Sequence, residues 1–126
     1  MAGNKLHARR VLYDGHSFPS QLEADRYIEL KLLEQAGEIS NLVLQPKFIL
    51  IKKFKHRGRS WRGISITFDF QYQDRAGHTI LEDTKGYMTR DFETKMILFL
   101  SQNPTANLRI LSRQEVGKYS GVRGQG

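Results

Sequence analysis

Residues 62–73, RGISITFDFQYQ, alternate apolar and polar side chains with a period of two. That pattern fits a strand with one face in a core. Ile64, Ile66, Phe68, Phe70 and Tyr72 fall on one side, and Ser65, Thr67, Asp69 and Gln71 on the other. The turn DRAG, 74–77, leads into an apolar stretch over 78–85 that reads as the next strand. Upstream, NLVLQPKFILIKK (41–53) is apolar and rich in β-branched residues. Pro46 cannot donate to a ladder and marks an irregular start, so this strand is expected at 47–53. FKHRGRSW (54–61) then reads as a basic, glycine-containing turn. Three strands with short connections predict an antiparallel meander.

Helices flank this core. Ser20 with Glu23 three places later fits a capping box, and Gly37 supplies a stop, so 20–36 is expected to be helical. Phe92, Met96, Phe99 and Leu100 recur at helical spacing within 89–103, which Asn103-Pro104 closes. Asp14-Gly15 between short apolar stretches signals a hairpin over 11–18, and NLRILSR (107–113) a last short strand. The order predicts an α/β or α+β fold, with helices covering a mixed sheet.

The chain of 126 residues is 39% hydrophobic, enough for one modest core and a single domain over 11–116. A basic arm is expected at 1–10 and a flexible Gly-rich tail at 117–126. The absence of cysteine excludes disulfides and thiolate metal sites and favours a cytoplasmic location. No apolar run approaches the roughly 20 residues of a membrane helix, and the N-terminus lacks the apolar segment of a secretory signal. No membrane partner is expected.

Charge narrows the class of partner. Lysine and arginine number 20 against 13 acids, a net +7, which points to a polyanion such as nucleic acid. Lys52, Lys53, Lys55, Arg57, Arg59 and Arg62 crowd one turn with Trp61 among them. Such a cluster neutralises phosphates. Trp61 either stacks on an exposed base or anchors the turn as a hydrophobic residue. Arg9, Arg10, Arg90 and Lys95 are secondary cationic candidates, and His7, His16, His56 and His78 show no metal-ligand spacing.

The segment ILEDTKG, 80–86, places acids at a strand end. Alternation sets Leu81, Asp83 and Lys85 on one face and Ile80, Glu82 and Thr84 on the other. The preceding strand brings Asp69 close to Asp83 on a shared face. Two neighbouring carboxylates resist joint ionisation, and a divalent cation between them removes the conflict. The alternative is a solvent-facing Asp69 with an ordinary Asp83–Lys85 ion pair. Glu23 heads a helix stripe shared with Tyr27 and Leu30, so it either caps the helix or meets a metal.

Glutamate on a first helix, aspartate on a strand and Asp-x-Lys on the next resemble the PD-(D/E)xK nuclease superfamily. The chain is similar to small phage-encoded proteins related to Holliday junction resolvases. The likeness runs through Phe18, Ser20, Leu22-Glu23-Ala24, Arg26-Tyr27, Glu29-Leu30-Lys31-Leu32-Leu33-Glu34, Gly37-Glu38-Ile39, Leu44-Gln45-Pro46-Lys47-Phe48, Asp69-Phe70, Tyr72 and Glu82-Asp83-Thr84-Lys85-Gly86. It spans residues 11–112. Phe68 stands where the superfamily has proline, and Glu82 is an extra acid beside Asp83.

The resemblance implies a restriction-endonuclease-like core and a Mg²⁺- or Mn²⁺-dependent endonuclease acting on branched DNA such as Holliday junctions. It implies Glu23, Asp69, Asp83 and Lys85 as the catalytic set. Glu23, Asp69, Asp83 and the Thr84 carbonyl would be metal ligands, and Lys85 would position water or offset charge. Two matched cuts at a junction call for a homodimer. A less selective DNA nuclease and a non-catalytic nucleic-acid-binding module remain as alternatives.

Overall fold

A computed structural model describes residues 10–117; most of the arm and tail, with His7 and Arg9, lie outside the described residues. The chain opens with a hairpin, β1 (Val11–Tyr13) and β2 (His16–Phe18). Its turn residues Asp14 and Gly15 both have positive φ, 56° and 78°, the combination that suits the twist of a two-residue hairpin. The Tyr27 hydroxyl donates to Asp14 at 2.6 Å and ties the turn to helix α1 (Gln21–Gln35).

Helix α1 starts where Ser20 Oγ accepts from the Glu23 N–H at 3.1 Å. It ends at Gln35 with Ala36 as its C-cap, and Gly37 follows with a φ of 79° that reverses the chain. Strands β3 (Ser40–Leu44) and β4 (Lys47–Ile51) follow, then β5 (Phe54–His56), β6 (Arg59–Trp61), β7 (Ile64–Thr67), β8 (Phe70–Gln73) and β9 (Thr79–Thr84). Helix α2 (Arg90–Gln102), capped by Thr89, leads to β10 (Asn107–Leu111).

The central sheet has the order β10-β9-β8-β3. β10 runs parallel to β9, with α2 as the crossover such a pair requires, and the other pairings are antiparallel. The ladder β4–β7 and the hairpin β5–β6 stand apart from it. The fold is mixed α/β, a central sheet between two helices, rather than a simple meander.

Three expectations need correction. The stretch 41–53 holds part of β3 besides the strand expected at 47–53, which stops at Ile51, and the turn expected at 54–61 is flanked by the two short strands of a hairpin. The alternating segment 62–73 is not one strand with one apolar face: it breaks at Phe68-Asp69. Ile66 and Phe68 enter the core beneath α2, with Leu50, Leu81 and Phe99. Phe70 and Tyr72 enter the core beneath α1, with Tyr27, Leu30 and Ile80. The cause is the facing segment. Pro46 offers no N–H, and Gln45 takes a left-handed φ of 56°, so β3 and β4 part there and the opposite strand parts with them. The joint is held by Gln45 N–H donating to Asp69 O at 2.9 Å and Phe68 N–H donating to Pro46 O at 3.0 Å.

Candidate functional site

The break puts Asp69 where it matters. Phe70 pairs with Glu82 across β8 and β9, so one further step sets Asp69 beside Asp83. The Thr84 N–H and Oγ1 both donate to Asp69 Oδ2 at 2.8 Å. Glu23 arrives from the first turn of α1 and is buried, 4% exposed. Its carboxylate does not close a reciprocal capping box; it accepts from Gln45 Nε2 at 2.8 Å. Asp83, 1% exposed, has Lys85 Nζ 2.8 Å from its Oδ2. That ammonium also sits 3.8 Å from the centre of the Phe92 ring at the start of α2, a cation–π contact. Asp83 Oδ2 is buried, and the Lys85 ammonium is the partner it has there.

The electrostatics show how crowded these acids are. Burial first, then the charge of Asp69 and a shared hydrogen bond with it, push the Glu23 carboxyl up to about 8; Asp83 adds to the rise and Arg10 opposes it. Burial and Asp69 raise Asp83 to about 6 against the pull of Lys85. Each charged carboxylate disfavours the next. As the side chains stand, no three His, Asp or Glu groups among the described residues are disposed to hold a metal ion.

Glu82 lies on the opposite face and is fully engaged there. Arg26 Nε and Nη2 each donate to it at 2.7 Å, and the Tyr72 hydroxyl donates as well. Arg26 Nη1 reaches Glu29 Oε1 at 3.0 Å. Arg26, Glu29 and Glu82 are all buried. Glu23 and Arg26 share a face of α1, and Glu82 precedes Asp83 on β9. The clamp therefore sets how α1 sits over the strand that carries Asp83.

The basic cluster lies elsewhere. Lys52, Lys53, Lys55, Arg57, Arg59 and Arg62 are all exposed. The β5–β6 hairpin, which carries Lys55, Arg57 and Arg59, packs against no other described helix or strand. Trp61 stacks on Phe54, ring centres 6.4 Å apart, under the Arg59 guanidinium at 4.0 Å; it anchors the hairpin and stays 40% exposed. The cluster lies beyond the Ile51–Ile64 end of the β4–β7 ladder, whereas Asp69 follows the Lys47–Thr67 end.

Sequence reasoning passed over Gln45 and the Arg26–Glu82 pair, and left Arg10 a secondary candidate. The left-handed Gln45 preceding a proline is unusual, because that position is normally held extended. Nothing local to residues 26 and 82 announces their pairing.

Fold and site together define a small mixed α/β domain with three crowded carboxyl groups and an ammonium at one end of its sheet. The chain belongs to the family described as "Protein of unknown function (DUF1064)", which it matches over residues 3–121. No curated protein and no solved structure matches it. No described helix is long and apolar enough to cross a membrane.

Proposed function

We propose that this chain is a Mg²⁺- or Mn²⁺-dependent DNA endonuclease of the PD-(D/E)xK kind, selective for branched DNA such as four-way junctions and acting as a homodimer in the host-cell cytoplasm. The crowding of Glu23, Asp69 and Asp83 beside Lys85 carries this reading. The donor set fits a hard divalent ion: carboxylate oxygens from three elements, with burial and then the Asp69 charge raising the pKa values of Glu23 and Asp83. Glu23, Asp69 and Asp83 would hold the ion, with the Thr84 carbonyl as a further ligand. A bound ion supplies Lewis-acid charge neutralisation at a scissile phosphate.

The chain's own groups do the rest. Thr84 fixes Asp69 through two donors, and Gln45 fixes Glu23. Lys85, steadied by Asp83 and Phe92, brings a positive charge to offset that developing on the phosphate. Burial of Glu23 and Asp83 keeps bulk water from screening these charges. The β5–β6 hairpin, well away from the acids, would hold a DNA arm by its phosphates, with Lys52, Lys53, Lys55, Arg57, Arg59 and Arg62 as donors and Trp61 at its edge. Separation between gripping and cutting elements suits a substrate with more than one arm.

A second reading has its own support. Asp69 is already satisfied by Thr84 and Asp83 is paired with Lys85, so these acids have structural partners of their own. That favours a DNA-binding module without catalysis. Cleavage of four-way junction, flap, duplex and single-stranded DNA with Mg²⁺ separates the two. The nuclease reading expects cutting of the junction above the linear duplex, lost in Asp83→Ala and Lys85→Ala. No cutting of any substrate, or equal rates in the variants, refutes it.

A further inference from the structure

A groove of about 370 Å³ runs between the β1–β2 hairpin and the start of α1. Arg10, His16 and Ser17 form one wall, Leu44 and Gln45 the other, and Glu23 lies within it. We infer that this groove is a phosphodiester subsite, with Arg10 as its donor, for the nucleotide next to the one being cleaved.

The Arg10 side chain is held in place before any ligand arrives. Its Nε donates to Ser17 Oγ at 2.8 Å and its Nη2 to the Ser17 carbonyl at 3.0 Å. Nη1 has no hydrogen-bond partner among the described residues, although the side chain is exposed. A guanidinium fork fixed on one edge and open on the other recognises a phosphate oxygen with little further loss of freedom. Phe18 and Pro19 continue the floor with apolar surface on which a sugar can lie. The groove opens onto Glu23, which also belongs to the acid cluster, so a strand lying across those acids passes the Arg10 edge.

This assignment rests on the nuclease reading for its substrate, but its test does not need catalysis. Binding of a labelled four-way junction is measured by fluorescence anisotropy across a salt series, with Ca²⁺ replacing Mg²⁺. Each neutralised phosphate contributes about 0.9 to the slope of log K against log salt. Arg10→Ala is expected to flatten the slope by about one phosphate, Arg10→Lys to keep it, and Arg75→Ala, at the β8–β9 turn, to leave it unchanged. A slope in Arg10→Ala equal to wild type, or an equal loss in Arg75→Ala, overturns the subsite. Binding with an Arg10-dependent slope but no Mg²⁺ cleavage supports the subsite and removes the nuclease reading. Cleavage with an Arg10-independent slope removes the subsite alone, and a wild type that binds no DNA removes both.

Discussion

Replacing Arg26 with methionine removes three charge-assisted hydrogen bonds at once: two to Glu82 at 2.7 Å and one to Glu29 at 3.0 Å. Arg26 is 3% exposed, Glu29 2% and Glu82 0%, so water cannot take over. Glu29 Oε2 already accepts no hydrogen bond among the described residues. Breaking a buried pair from one side typically costs about 3–5 kcal/mol, because the surviving charge is left uncompensated. Domains of this size hold about 5–15 kcal/mol in total, so Arg26→Met should be marginally folded at best. Urea unfolding followed by circular dichroism reads the loss. Adding Glu82→Met and Glu29→Gln should restore most of it, since apolar replacement of a buried ion network is often neutral or stabilising. On the proposed nuclease reading the restored triple variant should still cleave more slowly than wild type, because the clamp that ties α1 to β9 is gone and Gln45 alone then holds Glu23. A loss below about 1 kcal/mol for Arg26→Met, the range of an exposed pair, would refute this reasoning.

Other perturbations have equally definite outcomes. The native Glu23 carboxyl holds a proton up to about pH 8, whereas its ordinary value is 4.5. The folded state therefore binds more protons than the unfolded chain across that window, and metal-free stability should fall as pH rises through it; Glu23→Gln should flatten the decline above pH 6, as read by thermal melts, and an unchanged decline would contradict the assignment. A Cβ at Gly63 would lie 2.2 Å from the Ile51 carbonyl oxygen at the base of the β5–β6 hairpin, so Gly63→Ala should destabilise by about 1–3 kcal/mol, the usual cost of overpacking, and an unchanged melting midpoint would argue against that close approach. Lys53, Lys55, Arg57 and Arg59 are exposed, so changing all four to alanine should leave the melting midpoint in place while lowering the DNA-binding salt slope by up to about 0.9 per lost phosphate contact. An unchanged slope would show that the hairpin does not grip DNA.

Local signals in the sequence carried the parts of the fold that local forces decide. Ser20 and Gly37 bound α1, Asp14-Gly15 turns the first hairpin, and the alternation through ILEDTKG puts Glu82 and Asp83 on opposite faces of β9. The break at Phe68-Asp69 was not legible, because the apolar alternation continues through it unbroken. Its cause is Gln45-Pro46 at the junction of β3 and β4, more than 20 residues away. The same holds at the site. Residue types and strand period bring Asp69 toward Asp83. Gln45 and Thr84 as holders of the acids, and Arg26 as the clamp between helix and sheet, depend on contacts made only once the chain is folded.

On the proposed reading, Glu23, Asp69 and Asp83 relieve their crowding by sharing a divalent ion. Thermal unfolding at pH 8 during a Mn²⁺ titration tests it most directly. An ion that binds the native state alone stabilises it by about 2.7 kcal/mol at a hundredfold excess over Kd. Wild type should therefore melt at progressively higher temperature, and Asp83→Asn should hardly respond. A wild-type midpoint indifferent to Mn²⁺, or an equal rise in Asp83→Asn, would contradict the account.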